Sequence, residues 1–150
     1  FKQKTAYEIY QCDWSSDVCS SDLIISQNTL TKVTFDTETY DTNNNYSSST
    51  FTPTIAGYYQ FNAGFDCGAN TNTLTRSNIF LFKNGSAAFV GSGSYSGFTG
   101  TEVAAFISGL VYCNGSTDYV EVYVYATGTS PTIYASVTNT YFNGFLARAA

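Results

Sequence analysis

The chain has 150 residues, the length of a single domain, which is enough to bury a hydrophobic core. Its six basic and eleven acidic side chains give a net charge of −5, which argues against the basic face of a nucleic-acid-binding domain. It contains no histidine, so the commonest general base is absent and no metal site can use imidazole. No apolar run approaches the ~18 residues of a membrane-spanning helix, so we predict no insertion into a membrane.

The first 23 residues differ in composition from everything that follows. They contain the single tryptophan, Trp14, and two of the four cysteines, Cys12 and Cys19. No apolar period of 3.6 or 2 runs through them. The string closely resembles the conceptual translation of a sequencing adapter, a contaminant fused to metagenomic reading frames. We therefore interpret residues 1–23 as a non-native tail and residues 24–150 as the domain, with a native N-terminal tail as the alternative.

The interpretation of the tail changes how the cysteines are understood. Only Cys67 and Cys113 belong to the remaining 127 residues, which carry four basic and seven acidic side chains. A disulfide between them would close a loop of about 46 residues and contribute roughly 4 kcal/mol. Two buried free thiols explain the same pair equally well. The interpretation also predicts that the domain is the C-terminal piece of a longer protein.

From residue 30 onward, β-branched and aromatic residues recur in short runs separated by Gly, Asn, Ser and Thr, and no stretch has a helical period. Asn84-Gly85 is typical of a tight hairpin, and Asn143-Gly144 inside a strand pattern indicates a bulge. An all-β sandwich or jelly roll is therefore expected. The predicted strands are Leu30–Phe35, Gly57–Cys67, Asn78–Lys83, Ala87–Val90, Glu102–Cys113, Tyr119–Ala126, Thr132–Val137 and Tyr141–Ala147.

Three of these predicted strands, 78–83, 102–113 and 119–126, are apolar on both faces. In the last of them, Val120, Val122 and Val124 alternate with Tyr119, Glu121, Tyr123 and Tyr125. One face of each strand can fill the core, but the second face also needs a cover, because large exposed apolar patches are uncommon on monomers. Since no helix is predicted, another copy of the domain is the expected cover. We predict an obligate oligomer with tyrosines and phenylalanines packed between its subunits.

The spacing of aromatic, acidic and small residues along the chain resembles the signature of the complement one-q (C1q) globular-head family, which belongs to the tumour-necrosis-factor-like jelly rolls. The matching residues are Phe35, Asp41, Tyr46, Phe51, Gly57, Tyr59, Phe61, Gly144 and Phe145, with further likeness in 118–122. Two departures are a shorter gap between Tyr46 and Phe51 and an alanine at position 63, where an aromatic residue is usual. The resemblance implies a ten-stranded antiparallel jelly-roll sandwich that forms a homotrimeric head.

The function that follows from this resemblance is a non-enzymatic recognition or adhesion head at the C-terminus of a fibre-like protein. The metagenomic-looking origin and the Ser/Thr/Asn-rich composition suggest that such a head belongs to a phage tail fibre or a microbial surface or secreted protein, and so is extracellular or part of a virion. Its partners would be its own copies and a cell-surface glycan or protein receptor. A structural cap that only trimerises a fibre is the alternative. A carbohydrate-active enzyme is a third hypothesis, because Asp36 and Glu38 lie close in sequence, although solvated turn acids also explain them.

The loop 91–100 is the first candidate for ligand binding. Its glycines surround two aromatic residues, Tyr95 and Phe98, whose rings would suit the faces of sugars. Packing of these rings into a subunit interface is the competing explanation. The loop 69–76 is the second candidate and supplies one charge, Arg76.

No cofactor is predicted, but calcium is considered at one turn. Asp41-x-Asn43-x-Asn45 begins like a calcium-binding EF-hand loop. Tyr46 then stands where glycine is needed, and Thr52 stands where the bidentate glutamate is needed. A polar turn without a cation is the simpler interpretation of this segment.

Overall fold

The computed structural model describes residues 22–69, 73–93, 99–136 and 138–150, together with the backbone of residues 14–17. These ranges contain strands and no helix, which confirms the all-β class. No helix in the described residues is therefore long and apolar enough to cross a membrane. The strands are β1 (Trp14–Asp17), β2 (Leu23–Ile24), β3 (Thr31–Lys32), β4 (Thr37–Asp41), β5 (Tyr46–Ser47), β6 (Thr50–Phe51), β7 (Ala56–Gly68), β8 (Arg76–Lys83), β9 (Ser86–Ser92), β10 (Glu102–Asn114), β11 (Val120–Thr127), β12 (Thr132–Ile133) and β13 (Tyr141–Ala149).

The strands form two antiparallel sheets that pack as a sandwich. In sheet A, β7 pairs with β10 on one side and with β12 and β13 on the other, β2 extends β12, and β1 lies between β13 and β4. Sheet B has the order β5-β6-β11-β8-β9, with β3 also paired to β11. The thirteen strands of the described residues exceed the ten expected, because several of them are only two residues long. The described part of the chain has the predicted jelly-roll architecture.

An aromatic cluster forms the centre of the core. Phe51 meets Tyr59 and Phe61 edge-on, each at 5.4 Å between ring centroids. Phe35, Tyr46 and Phe61 all lie within 6.2 Å of the ring of Phe142. Burial of such a side chain contributes about 1.5–3 kcal/mol, and each ring pair adds about 0.5–1.5 kcal/mol. The aromatic residues whose spacing resembles the family signature therefore pack together in one cluster.

The Asn84-Gly85 hairpin forms as predicted between β8 and β9. Both residues have left-handed φ angles, 52° and 77°, as a two-residue hairpin turn requires. Asn84 Nδ2 donates to Asp118 Oδ1 at 2.7 Å, and Lys83 Nζ lies 2.8 Å from Asp118 Oδ2. These contacts lower the pKa of Asp118 below its usual 3.8, and the bond from Lys83 has the largest effect. They fasten the hairpin to the start of β11.

Some boundaries and one bulge differ from the prediction. The strand predicted over 132–137 ends at Ile133, and Val137 lies outside the described residues. Gly144 pairs regularly with Phe61, and the irregular register lies between Leu146 and Arg148 instead. Gly144 is buried and continues the β13 strand in register with Phe61 on β7.

Cys67 and Cys113 are free, buried thiols. Cys67 on β7 pairs with Val103 on β10, and Cys113 lies ten positions beyond Val103 along β10. At ~3.4 Å per residue the two are roughly 34 Å apart, whereas a disulfide needs Cα atoms within about 7 Å. The bridge considered from the sequence is therefore wrong within one chain. Burial raises the pKa of Cys67 to about 12 and that of Cys113 to about 11, which keeps both thiols protonated.

Candidate interaction surface

The outer side of sheet A carries large apolar side chains that stay about half-exposed in the described chain. Alternation along β10 turns Phe106, Leu110 and Tyr112 outward, and Phe106 and Leu110 are 54% and 50% exposed. Tyr58 on β7 and Phe145 on β13 face the same way and are also exposed. These five side chains are called the apolar face below. Because they come from three adjacent strands, they form a continuous surface.

One end of the apolar face depends on Gly64. Phe106 and Tyr141 lie on either side of it in register, with ring centroids 6.5 Å apart. A Cβ atom at position 64 would come within 2.6 Å of the Phe106 ring. The glycine therefore lets the Phe106 ring lie across β7 toward Tyr141.

The middle of the apolar face is polar. Gln60 Nε2 donates to Ser108 Oγ at 2.8 Å, Ser108 Oγ donates to Asn62 Oδ1 at 2.9 Å, and Asn62 Nδ2 donates to Asn143 Oδ1 at 3.1 Å. These four side chains, called the polar chain below, connect β10, β7 and β13. Sequence reasoning missed them; the available signal was polar residues at alternate positions on strands with apolar faces.

The size of the apolar face suits the centre of a protein interface. Five half-exposed side chains of this kind present roughly 450 Å². One partner in a standard interface buries about 800 Å², of which a little over half is apolar. A polar rim around the apolar face would supply the remainder.

Two acidic residues lie at the Phe106 end of this sheet. Glu102 and Asp66 are diagonal neighbours on β10 and β7. A hydrogen bond with Asp66 and the charge of Asp66 raise the pKa of Glu102 above its usual 4.5. Asn139 Nδ2 donates to Asp66 Oδ2 at 3.4 Å. The rim of the apolar face is therefore acidic at this end.

The outer side of sheet B is also aromatic, but its rings are half-buried against one another. Phe80, Phe82, Tyr123 and Tyr125 point outward from β8 and β11. The Phe82 and Tyr123 rings are 4.5 Å apart, and the Phe80 and Phe82 rings are 6.1 Å apart. Val90 on the edge strand β9 is the most exposed apolar side chain there, at 60%.

Charged side chains cover part of this aromatic surface. Lys32 Nζ lies 2.8 Å from Glu121 Oε1 and 2.7 Å from Thr50 Oγ1, and Tyr123 donates to Glu121 Oε2 at 3.3 Å. Burial by itself raises the pKa of Glu121, but the bonds from Lys32, Thr50 and Tyr123 outweigh burial, so the pKa is lowered. Lys32, Glu121 and Thr50 are called the sheet B clamp below.

Of the three residues predicted to bind a ligand, Arg76 is the one that lies among the described residues. Arg76 begins β8, where its guanidinium lies 4.7 Å from the centroid of the Tyr125 ring and its Nε donates to Asn78 Oδ1 at 2.6 Å. Tyr95 and Phe98 fall in residues 94–98, outside the described residues. The binding loop therefore stays a prediction.

The turn considered for calcium is held by backbone hydrogen bonds. The carboxylate of Asp41 accepts from Tyr46 N–H at 2.7 Å and from Asn43 N–H at 3.2 Å. The Asp41 carboxylate therefore orders this polar turn directly. Across the ranges described above, no three His, Cys, Asp or Glu side chains are placed to hold a metal ion.

The carboxylates considered for catalysis lie elsewhere on sheet A. Asp36 and Glu38 are exposed and line an open groove of about 380 Å³, opposite Ser47–Ser49. Of the fold-signature residues, Phe145 is the one that reaches the surface as part of the apolar face, while the aromatic residues at 35, 46, 51, 59 and 61 are buried.

Solved structures of low sequence identity have the same fold. The globular domain of zebrafish complement 1qA matches with a TM-score of 0.63 at 13% identity, over 92% of this chain and 98% of that chain. Eiger TNF from S. frugiperda gives 0.69 at 8% identity over 93% and 94%, and murine APRIL at pH 8.0 gives 0.64 at 11% over 91% and 98%. No protein-family model and no curated protein matches the chain. The chain thus has the jelly-roll fold of complement 1q and TNF structures, as its signature residues indicated.

Proposed function

We propose that this chain is a non-enzymatic homotrimeric head in which three copies bury the apolar face between them. The observation that carries the proposal is the exposure of five large apolar side chains on three adjacent strands of sheet A. Isolated exposed residues need no explanation, but a contiguous patch favours an interface. The number three comes from the resemblance to the complement one-q family. The similarity to complement 1qA and TNF structures supports the same arrangement.

The mass of the native protein tests this part of the proposal. Each chain is 16.3 kDa, so the full 150-residue protein at micromolar concentration is expected at about 49 kDa in native mass spectrometry and sedimentation. A mass of one subunit under these conditions would overturn the proposal.

The proposed role of the trimer is recognition at the tip of a fibre, on a phage tail or on a microbial surface or secreted protein. Three weak sites on one rigid body bind a multivalent surface far more strongly than one site alone, so trimerisation itself supplies avidity. A cell-surface glycan is the proposed ligand class. The lack of histidine and the low charge support binding rather than catalysis.

A glycan array and a cell-binding assay test recognition, with the full-length trimer compared against a folded monomeric variant. The trimer is expected to bind at least about 100-fold better than the monomer. Absence of any binding by the intact trimer would favour the structural cap instead. Glycoside turnover that disappears in Asp36→Asn or Glu38→Gln would contradict the non-enzymatic assignment.

A further inference from the structure

The polar chain on the apolar face ends in two half-exposed groups that have no partner among the described residues. At one end, Asn143 Nδ2 has no acceptor in the described residues, although Asn143 Oδ1 accepts from Asn62. At the other end, Gln60 Nε2 is engaged with Ser108 Oγ and with the Phe61 carbonyl, at 2.8 and 3.1 Å. Gln60 Oε1 has no donor within the same ranges. The polar chain thus presents a donor at β13 and an acceptor at β7.

We infer that Asn143 Nδ2 of one subunit donates to Gln60 Oε1 of the next, so that the polar chain runs from subunit to subunit. The inference rests on the proposed trimer. In a cyclic oligomer each interface joins two different parts of the subunit surface, so a donor end on one subunit can meet an acceptor end on its neighbour. Three such contacts would satisfy both ends of every polar chain.

The contact would fix how the subunits align. Apolar surfaces tolerate sliding, because the hydrophobic effect has no direction. A buried amide without a partner is costly, so alignments that leave Asn143 or Gln60 unpaired are disfavoured. Single buried polar residues set register in this way in coiled coils. Here the polar chain crosses an otherwise apolar face, which places it where it would exclude other alignments.

Two charged variants, Asn143→Asp and Gln60→Lys, allow the contact to be tested between chains. Either variant alone places an unpaired charge at the interface and is expected to raise the trimer dissociation constant at least about tenfold. In the Asn143→Asp variant, Gln60 cannot easily turn its amide toward the new carboxylate, because its Nε2 is held by Ser108 and Phe61. When the two variants are refolded together, the carboxylate introduced on one subunit can pair with the ammonium group introduced on the next.

The measurement is the composition of the mixed trimers by native mass spectrometry. Random assembly of two equally abundant chains gives about three mixed trimers in four. We expect the fraction of mixed trimers to exceed that share clearly. The mixed trimers should also resist dissociation on dilution better than the trimer of either variant alone. Gln27→Glu mixed with Gln27→Lys is the matched control, because Gln27 is exposed in the loop between β2 and β3 and carries the same charge changes. The control mixture is expected to assemble at random.

The outcomes separate this inference from the proposed trimer. A monomeric wild type would overturn both. A wild-type trimer whose variants mix at random, or fail to form mixed trimers, would overturn the inter-subunit contact and leave the trimer standing. A purely intrachain role for the polar chain predicts that random result, because Asn143 and Gln60 would then act within each subunit.

Discussion

The outer faces of the two sheets contain similar residues but differ in what covers them. On sheet B, the aromatic rings of β8 and β11 are half-buried against each other and flanked by the sheet B clamp and by Arg76. On sheet A, Phe106 and Leu110 are half-exposed, and the neighbouring groups include the Tyr141 ring and the short amides and hydroxyl of the polar chain. Aromatic content alone therefore does not mark an interface. Charged side chains contribute to this difference, although on the apolar face Lys83 Nζ also lies 5.8 Å from the centroid of the Tyr112 ring.

The largest expected effect is loss of the oligomer when the apolar face receives a charge. Leu110→Glu would bury three carboxylates at the subunit contacts, which is expected to raise the dissociation constant more than 100-fold. Sedimentation at micromolar concentration should then give one subunit. Leu110 is half-exposed in the single chain, so the monomer should keep its fold, and near-UV circular dichroism checks this.

Val90→Glu is the matched control on sheet B. Val90 is more exposed than Leu110 but lies outside the apolar face. Its charge variant is expected to keep the trimer mass. If Val90→Glu dissociated the protein and Leu110→Glu did not, the assignment of the two faces would be reversed.

The second effect concerns the sheet B clamp. Glu121→Gln removes the partner of a partly buried Lys32 and is expected to lower the free energy of unfolding by about 1–2 kcal/mol, without changing the oligomer. Denaturant titration together with native mass measures both quantities. A change of oligomeric state in this variant would mean that sheet B also takes part in assembly.

The sheet B clamp also predicts that the stability of the fold depends on pH in the acid range. Because the pKa of Glu121 is lowered from its usual 4.5, its contribution to stability is present above pH 4.5 and is lost as pH falls through the lowered value. The pKa of Asp118 is lowered from its usual 3.8, so its contribution to stability is likewise lost as pH falls through the lowered value. Wild type should therefore lose stability as pH falls below about 4.5, and Glu121→Gln should lose less over the same acid range.

The third effect tests the tail. We propose that residues 1–23 are not part of the native domain, although the backbone of Trp14–Asp17 pairs with β13 and β4. Backbone pairing carries little sequence information, and in the described part of the tail Leu23 is only partly buried against the core. Deletion of residues 1–23 should keep cooperative unfolding, with a midpoint lower by at most about 8 °C. Loss of the cooperative transition would place the tail inside the domain.

The smallest effect concerns the acidic rim of sheet A. The pKa of Glu102 is raised by Asp66, so its favourable contribution exists below pH 4.5 and is lost as pH rises through the raised value. Glu102→Gln should therefore raise the unfolding midpoint at pH 7 by about 2 °C and make no difference at pH 4. Equal gains at both pH values would mean that repulsion from Asp66 is not the cause. Thermal scans at the two pH values distinguish these results.

The sequence predicted the long strands well because alternation of apolar residues is a local signal. β7, β10, β11 and β13 all lie within two residues of the expected bounds. β4, β5 and β6 were missed, because they are short, rich in Thr and Ser, and mostly stabilised by their neighbours. Sequence patterns of this kind do not identify strands whose order comes from tertiary pairing.

Which face is covered was not predictable from the sequence. Both aromatic faces were expected to need a partner subunit, yet Lys32 reaches Glu121 across 89 positions of sequence. The polar chain similarly joins Gln60 to Ser108 across 48 positions. Side chains brought together by folding over such separations leave no local pattern.

The two buried thiols can be used to detect local opening of the sandwich. Cys67 and Cys113 sit at opposite ends of the β7–β10 ladder, and neither is accessible in the folded chain. An alkylating reagent can modify each only when its end of the ladder separates. Equal modification rates would describe a sandwich that opens as one unit, and unequal rates would show which end frays first.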